Sequence, residues 1–292
     1  EQNIFIQVFL QKNLFYYLPS NGFFFEYSGN NFKIVKEDDI IHNLLSTITR
    51  DKILVSWKEK TKTVTIKKIK ERNLFDCTPE SETIQNVIAY LYPSIFESKN
   101  YAKYFLTVIG DVILKKNQFT FLVSPQIKKM IINIEDILSA CIGINNISSH
   151  FITKHHENNI YDKYRLLRIN SGYSIELWKS LLKNIGLNLI CVACHYSKRQ
   201  QTSDDFLEAK LDEPLKQYTH FLKNNKPTEI IDDFCNKYIS TSETLQMTWK
   251  ECHFLWKEYL QENNLYNVLY STFLHKVLKT KYRHDNINDL FI

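Results

Sequence analysis

Ile40, Ile41, Leu44, Leu45 and Ile48 fall three and four residues apart, and this helical spacing of apolar residues recurs along most of the chain. The acids of "KEDD" just ahead suit a helix N-terminus. "TPESETIQNVIAYLY" predicts a helix to about Tyr92, with Thr78 as N-cap and Pro79 in the first position. "SPQIKKMIINIEDILSACIG" repeats the device with Ser124 and Pro125, and Gly143 is its natural stop. Further helices are expected in "SKNYAKYFLTVIGDVILKK", over 174–198, and near 205–224 and 228–239. In the 174–198 run, Leu181, Leu182, Ile185, Leu189 and Val192 mark a core-facing stripe. Residues 1–22 also show close helical spacing, broken at "PSNG".

Other stretches follow a different pattern. "FFFEYSGNNFKIV" sets two aromatic and β-branched runs around Ser28-Gly29-Asn30-Asn31 and predicts a hairpin. Residues 58–72 are ambiguous between helix and strand, "TVTI" favouring strand. Residues 144–172 are polar and turn-rich, open to strands or an ordered loop. Near the C-terminus, Thr248 and Glu251 form a capping box for a helix whose apolar face holds Trp249, Cys252, Trp256, Tyr259 and Leu260. A short link follows, then a second helix over 272–280 that buries Phe273, Leu274, Val277 and Leu278. Together these patterns predict an α+β protein, predominantly α-helical. Its segments are a small α/β N-terminal domain (1–76), a helical domain (77–240) and a helix-turn-helix or winged-helix-like unit (245–292).

Composition adds bounds. The 292 residues are 44% hydrophobic and 24% charged, which places the chain among globular proteins. The net charge of +5 is mildly basic and permits a nucleic-acid partner without requiring one. Six cysteines are too sparse for a disulfide scaffold, so reduced thiols and a cytoplasmic location are expected. No run approaches the length of an apolar membrane span, and no membrane partner is expected. The chain begins at Glu1 rather than Met and reads as a piece of a longer protein.

Candidate chemistry is thin. Cys191, Cys194 and His195 have the C-x-x-C-H spacing of c-type haem attachment, but they sit in a helical apolar run, where cysteines are usually small buried residues. Zinc needs four ligands, and His155, His156, Cys235 and the Cys252–His253 pair supply no second half-signature. No metal and no cofactor is therefore expected. His155, His156 and Glu157 lie together in a polar loop with no evident partner. Asp38-Asp39, Asp204-Asp205 and Asp232-Asp233 sit near expected helix starts, where capping explains them. The six glycines offer neither a P-loop nor G-x-G-x-x-G, and the nucleophile elbow and H-E-x-x-H are absent too. The balance leans away from an enzyme.

What remains is positive charge. Residues 58–72 carry seven Lys or Arg against two Glu. Lys276, Lys279, Lys281 and Arg283 lie on or just beyond the far side of the last helix. A helix, short link and basic helix outline a helix-turn-helix or winged-helix unit. Lys276, Lys279, Lys281 and Arg283 are thus candidate phosphate contacts, with Lys58, Lys60 and Lys62 as a weaker second patch. Two packed helices with a solvated lysine face fit the same pattern.

The order of elements also resembles a known family. "FFFEYSGNNFKIVKEDDIIHNLL", "AKYFLTVIGDVILKKNQFTFLVS" and the C-terminal "TWKECHFLWKEYLQENN…FLHKVLK" are similar to the C-terminal region of poxvirus-type primase–helicases of large, or giant, DNA viruses. Where that family has its glycine-rich phosphate loop, this chain has "PQIKKMI" after "FTFLVS", so no catalytic residue carries over. The resemblance implies a relative that has lost ATP binding and acts without catalysis as a nucleic-acid-associated module in viral replication or gene expression. It implies location in the virus factory of an infected host. Two alternatives stand beside it. One is a protein–protein adaptor or scaffold in viral transcription or translation; the other is a fragment of an active helicase whose catalytic residues lie outside this chain. DNA or RNA, and protein partners, are the expected contacts.

Overall fold

In the computed structural model, which describes residues 2–48, 55–116, 119–156, 160–240 and 246–291, helix predominates over three small sheets. This is the expected α+β class. The chain divides into two compact units that interleave in sequence: 1–117, 129–147 and 169–211 form the first, and 118–128, 148–168 and 212–292 the second. Neither follows the contiguous segments 1–76, 77–240 and 245–292. The parallel strands of the second unit come from the middle of the chain, one just ahead of Pro125 and two from the polar 144–172 stretch.

The first unit opens with α1 (Gln2–Lys12), followed by the antiparallel strands β1 (Leu14–Leu18), β2 (Phe23–Tyr27) and β3 (Phe32–Val35) in that order across the sheet. The sequence-based helix over 1–22 thus stops at Lys12, and "LFYYL" is a strand. Asn13 ends the helix by donating both its backbone and side-chain N–H to the Phe9 carbonyl. Leu14–Leu18 then pairs with Phe23–Tyr27 through a turn in which Gly22 takes φ +74°. Five paired residues with aromatic cross-strand neighbours outweigh the helical spacing.

Next come α2 (Glu37–Ile48) and α3 (Lys58–Lys70). Ile40, Leu44 and Ile48 are buried as the spacing predicts, packing with Ile6, Phe9, Phe24, Ile66 and Ile69. The ambiguous basic stretch is a helix, despite "TVTI". Thr61 and Thr65 are fully buried in it, and the Thr65 hydroxyl donates to the Thr61 carbonyl at 2.7 Å. That local bond satisfies a buried hydroxyl inside the helix, so β-branched residues are tolerated there.

The unit continues with α4 (Ser81–Leu91), α5 (Lys99–Ile113), α6 (Pro125–Ile142, from Lys129 on), α7 (Ile175–Lys198) and α8 (Ser203–Lys210). The start of α4 lies beyond the expected Thr78–Pro79, because the Glu80 N–H is donated to the Tyr27 hydroxyl at 2.8 Å and Glu80 is held extended. α6 begins at Pro125 after Ser124 and ends at Gly143, which adopts φ +75°, as read from the sequence. α5 and α7 are the centre of the unit. A Cβ on Gly110 would stand 2.1 Å from the Ala193 carbonyl oxygen, so only glycine allows this approach. Buried Asp111 accepts hydrogen bonds from the Ser197 hydroxyl (2.6 Å) and the Ser203 N–H (2.7 Å), linking three helices. Asn188 of α7 holds the β2–β3 turn, accepting from the Phe32 N–H and donating to Asn30 and Asn31. α7 is long and apolar enough to match a membrane span by length and composition, contrary to the sequence reading; 61% of that window is buried within the protein.

The second unit contains a parallel sheet of β4 (Thr120–Val123), β5 (Phe151–Ile152) and β6 (Tyr164–Leu167), with β4 in the centre. The polar 144–172 stretch therefore supplies two strands, and β6 is buried at every position. Short helices α9 (Glu213–Thr219) and α10 (Phe221–Asn224) follow; Pro214 at the start of α9 and extended Leu211 break the single helix expected over 205–224.

Then come α11 (Pro227–Tyr238), β7 (Met247–Thr248), α12 (Trp249–Glu262), α13 (Ser271–Lys281), β8 (His284–Asp285) and β9 (Leu290–Phe291). β9 pairs antiparallel with both β7 and β8. Helix, strand, two helices and a terminal two-stranded wing give this region a winged-helix-like outline. Its core is aromatic, with Phe234, Trp256 and Tyr259 in mutual ring contact over Leu274 and Leu278. The capping box is present: Thr248 Oγ1 accepts the Glu251 N–H, and Glu251 accepts the Thr248 N–H at 2.8 Å.

Candidate nucleic-acid interface

α13 is the second helix of the helix–link–helix pair, and its burial follows its sequence. Leu274 and Leu278 are buried, Phe273 and Val277 half-buried, and Thr272, Lys276 and Lys279 exposed or partly so. Thr272, Lys276 and Lys279 are spaced by four and three residues and so share one face. Arg283 is exposed just past the helix end. The wing adds Ile287, which is 92% exposed at the tip between β8 and β9. Asp285 shapes that tip by accepting from the Ile287 N–H (2.9 Å) and the Asn288 amide (2.6 Å), and these bonds hold its carboxyl below the usual range. The sequence reading allowed a winged-helix-like unit here but placed no strands in it, because "HDNINDLF" is too short and polar to show strand periodicity.

The three lysines and the arginine singled out at this helix are not equivalent. Lys281 is ion-paired with Asp232 of α11, and this bond raises its pKa. It joins two helices of the unit and faces away from the 272–276–279 side. Lys279 donates to the Asn286 side-chain oxygen at 3.3 Å, which brings its ammonium towards the wing.

Lys58, Lys60 and Lys62 lie at the start of α3, in the other unit. The Lys60 ammonium stands 5.1 Å from the centroid of the half-exposed Trp57 ring. Lys62 is 2.5 Å from Glu59, whose carboxyl is held low by that contact. Two of these three cations thus already have partners on their own helix or next to it.

The remaining motifs resolve into packing. Cys191 and Cys194 are fully buried on α7 near Cys77, and burial pushes both thiols well up from the ordinary range. His195 is only half-buried, and burial lowers its pKa. His155 is buried, its ring against Tyr161 and Tyr164 and its backbone N–H on the Val268 carbonyl at 2.6 Å. Its neighbour Glu157 lies outside the described residues. Asp38-Asp39 and Asp204-Asp205 do occupy first turns, and Asp205 completes a capping box with Thr202. Asp232-Asp233 does not: both lie inside α11, with Asp232 on Lys281 and Asp233 on Lys237 and the Tyr259 hydroxyl.

A groove of about 810 Å³ opens beside the wing, lined chiefly by Met247, Phe254, Leu255, Leu278, Tyr282 and Phe291. Next to it is a feature the sequence did not reveal. Among the described residues, one group of three metal-capable side chains converges within 4.8 Å: His275, His284 and Asp289. They come from the middle of α13, from β8 and from the residue before β9, so no local spacing signals them.

Searches against protein-family models, curated proteins and solved structures give no match to this chain.

Proposed function

We propose that this protein is a non-enzymatic, nucleic-acid-associated module, with the exposed face of α13 and the wing as its contact surface. The observation that carries the reading is the joint placement of Thr272, Lys276, Lys279 and Arg283 on the solvent side of the second helix of a winged-helix-like unit. In helix-turn-helix proteins that helix enters the major groove while flanking groups hold phosphates. Exposed cations bind phosphates by releasing counterions, which needs no catalytic machinery. The exposed Ile287 at the wing tip suits apolar contact in an adjacent minor groove. Lys281 drops out of the contact set because Asp232 already neutralises it.

The family reading belongs to the same proposal. β4 runs directly into α6 through Ser124 and Pro125, and "VSPQIKK" contains no glycine to free backbone N–H groups for a phosphate. A primase–helicase relative without ATP binding, acting in viral replication or gene expression, fits that junction. Thermal melting with Mg-ATP is expected to show no shift; saturable stabilisation would restore the active-helicase alternative.

Filter binding with a salt titration, on duplex DNA and on RNA, is the direct test. The double change Lys276→Glu and Lys279→Glu should weaken binding to all sequences alike and lower the salt slope by roughly one for each phosphate no longer neutralised. Undiminished affinity in a folded double variant removes the site. No salt-sensitive affinity in the parent protein removes the function and favours the protein-adaptor reading.

A further inference from the structure

His275, His284 and Asp289 share one carboxylate oxygen. Asp289 Oδ1 lies 3.0 Å from His275 Nε2 and 2.8 Å from His284 Nε2. The other nitrogen of His284, Nδ1, lies 3.1 Å from Asn286 Oδ1, and the Lys279 ammonium approaches the same oxygen at 3.3 Å. An ammonium only donates, so that atom of Asn286 is the carbonyl oxygen and not the amide nitrogen. His284 Nδ1 must then carry the hydrogen. Nε2 then faces the carboxylate oxygen at 2.8 Å either as the second N–H of an imidazolium or, in the neutral ring, as a lone pair beside a bound cation. Either way a positive charge lies between ring and carboxylate.

We propose that this charge is a divalent transition-metal ion of the zinc class, held by His275 Nε2, His284 Nε2 and Asp289. Two imidazoles and one carboxylate are the donor set of such ions, whereas magnesium and calcium prefer oxygen alone. Ligand atoms about 2.0–2.2 Å from a tetrahedral zinc stand roughly 3.3 Å apart, so the two nitrogen–oxygen separations need to open by only a few tenths of an ångström, and the two nitrogens lie within the 4.8 Å that bounds the group. The hydrogen bond from His284 Nδ1 to Asn286 is the kind of outer contact that fixes the tautomer and aim of a ligating histidine. The rings are also held from the apolar side: Trp249 lies 4.4 Å from His275 and Phe291 4.8 Å from His284, centroid to centroid. The His284 side chain is 5% exposed and that of Asp289 49%, so the site is walled on one side and open to water on the other. Three protein ligands with one open position are a familiar zinc arrangement.

The consequence is mechanical. The three ligands sit on α13, on β8 and at the end of the wing turn, so one ion fastens the wing to the helix. Metal uptake needs no nucleic acid, and its test uses none. Tag-free protein, stripped with chelator and titrated with zinc in a calorimeter, should take up one ion per chain, and its melting temperature should rise. The cobalt form should show a ligand-field spectrum without a thiolate charge-transfer band, which separates this site from the buried cysteines. Asn286→Ala should weaken zinc on the order of tenfold by loosening His284, and the combined change of His275 and His284 to Gln and Asp289 to Asn should abolish uptake. No saturable zinc uptake by the parent protein overturns the proposal. So does a thiolate band, or undiminished uptake in the triple variant. If the triple variant fails to fold, the parent titration and the cobalt spectrum decide alone.

Discussion

The α5–α7 contact in one unit and the C-terminal winged unit in the other solve the same problem in opposite ways. In the first, two apolar helices approach until backbone nearly touches backbone, and one glycine, Gly110, makes that possible. The few polar groups inside, such as Asp111, are bonded to Ser197 and Ser203. In the second, space is filled by large rings, Phe234, Trp256 and Tyr259, and the strands are two residues long. Polar side chains there pair at the edge of that core, as a cap at Thr248, an ion pair at Lys281 and the histidine–aspartate cluster. A core built on close backbone approach tolerates no added atom. A core built on rings depends on atoms that can be removed.

That contrast can be broken by substitution. The largest effect is expected at Gly110→Val, because the clash at 2.1 Å is with backbone and cannot be relieved by a side-chain rotation. Overpacking typically costs about 1–3 kcal/mol, and a clash with backbone that no rotation relieves is expected to exceed both that range and the loss at Trp256. Denaturant unfolding of the full chain measures it. If Gly110→Val unfolds at the parental midpoint, the backbone-contact description of α5 and α7 is wrong. Trp256→Ala should remove about 3–5 kcal/mol from the winged unit through transfer and cavity terms, read by the same titration. Thr248→Ala should cost about 1 kcal/mol, by removing the cap, and Thr248→Ser much less.

Asp111 sharpens the comparison through pH. Burial raises its pKa above the ordinary 3.8, and this outweighs the lowering by its hydrogen bonds to Ser197 and Ser203. The folded protein therefore keeps this proton at a pH where the unfolded chain has released it. Where the native state binds more protons, stability falls as pH rises. Asp111 thus contributes most below pH 3.8 and progressively less as pH rises through its folded value. Subtracting an Asp111→Asn pH–stability curve from the parental one should leave this downward slope, and a difference that rises with pH contradicts it. The smallest stability effect belongs to the Lys276→Glu and Lys279→Glu pair, expected within about 0.5 kcal/mol because both lie on the solvent side of α13. A large drop in stability would mean that these lysines hold the winged unit together, and the binding test would then need Lys→Gln changes instead.

Much of the helical skeleton was legible. Ser124, Pro125 and Gly143 bounded α6, and Thr248 with Glu251 capped α12, because caps and stops act through bonds within a few residues. The buried stripe of α13 followed from Leu274 and Leu278, and its solvent-side lysines from the remainder. The strand at 14–18 was not legible, since its apolar spacing also fits a helix and only pairing with 23–27 selects the extended form. Nor was α3 settled, because the buried Thr65 hydroxyl reaches the Thr61 carbonyl only once the segment is helical, and Thr61 Oγ1 accepts from the Gln2 amide of α1.

The sequence by itself determined the α-rich class, the caps, the lack of a glycine phosphate loop and the basic face of the last helix. All of these depend on neighbours within about one turn. The tertiary structure decided which strands pair, that Gly110 lies against Ala193, that Lys281 belongs to Asp232, and that His275, His284 and Asp289 share one point. Each joins residues from separate elements, and periodicity along a chain carries no information about which distant elements will meet.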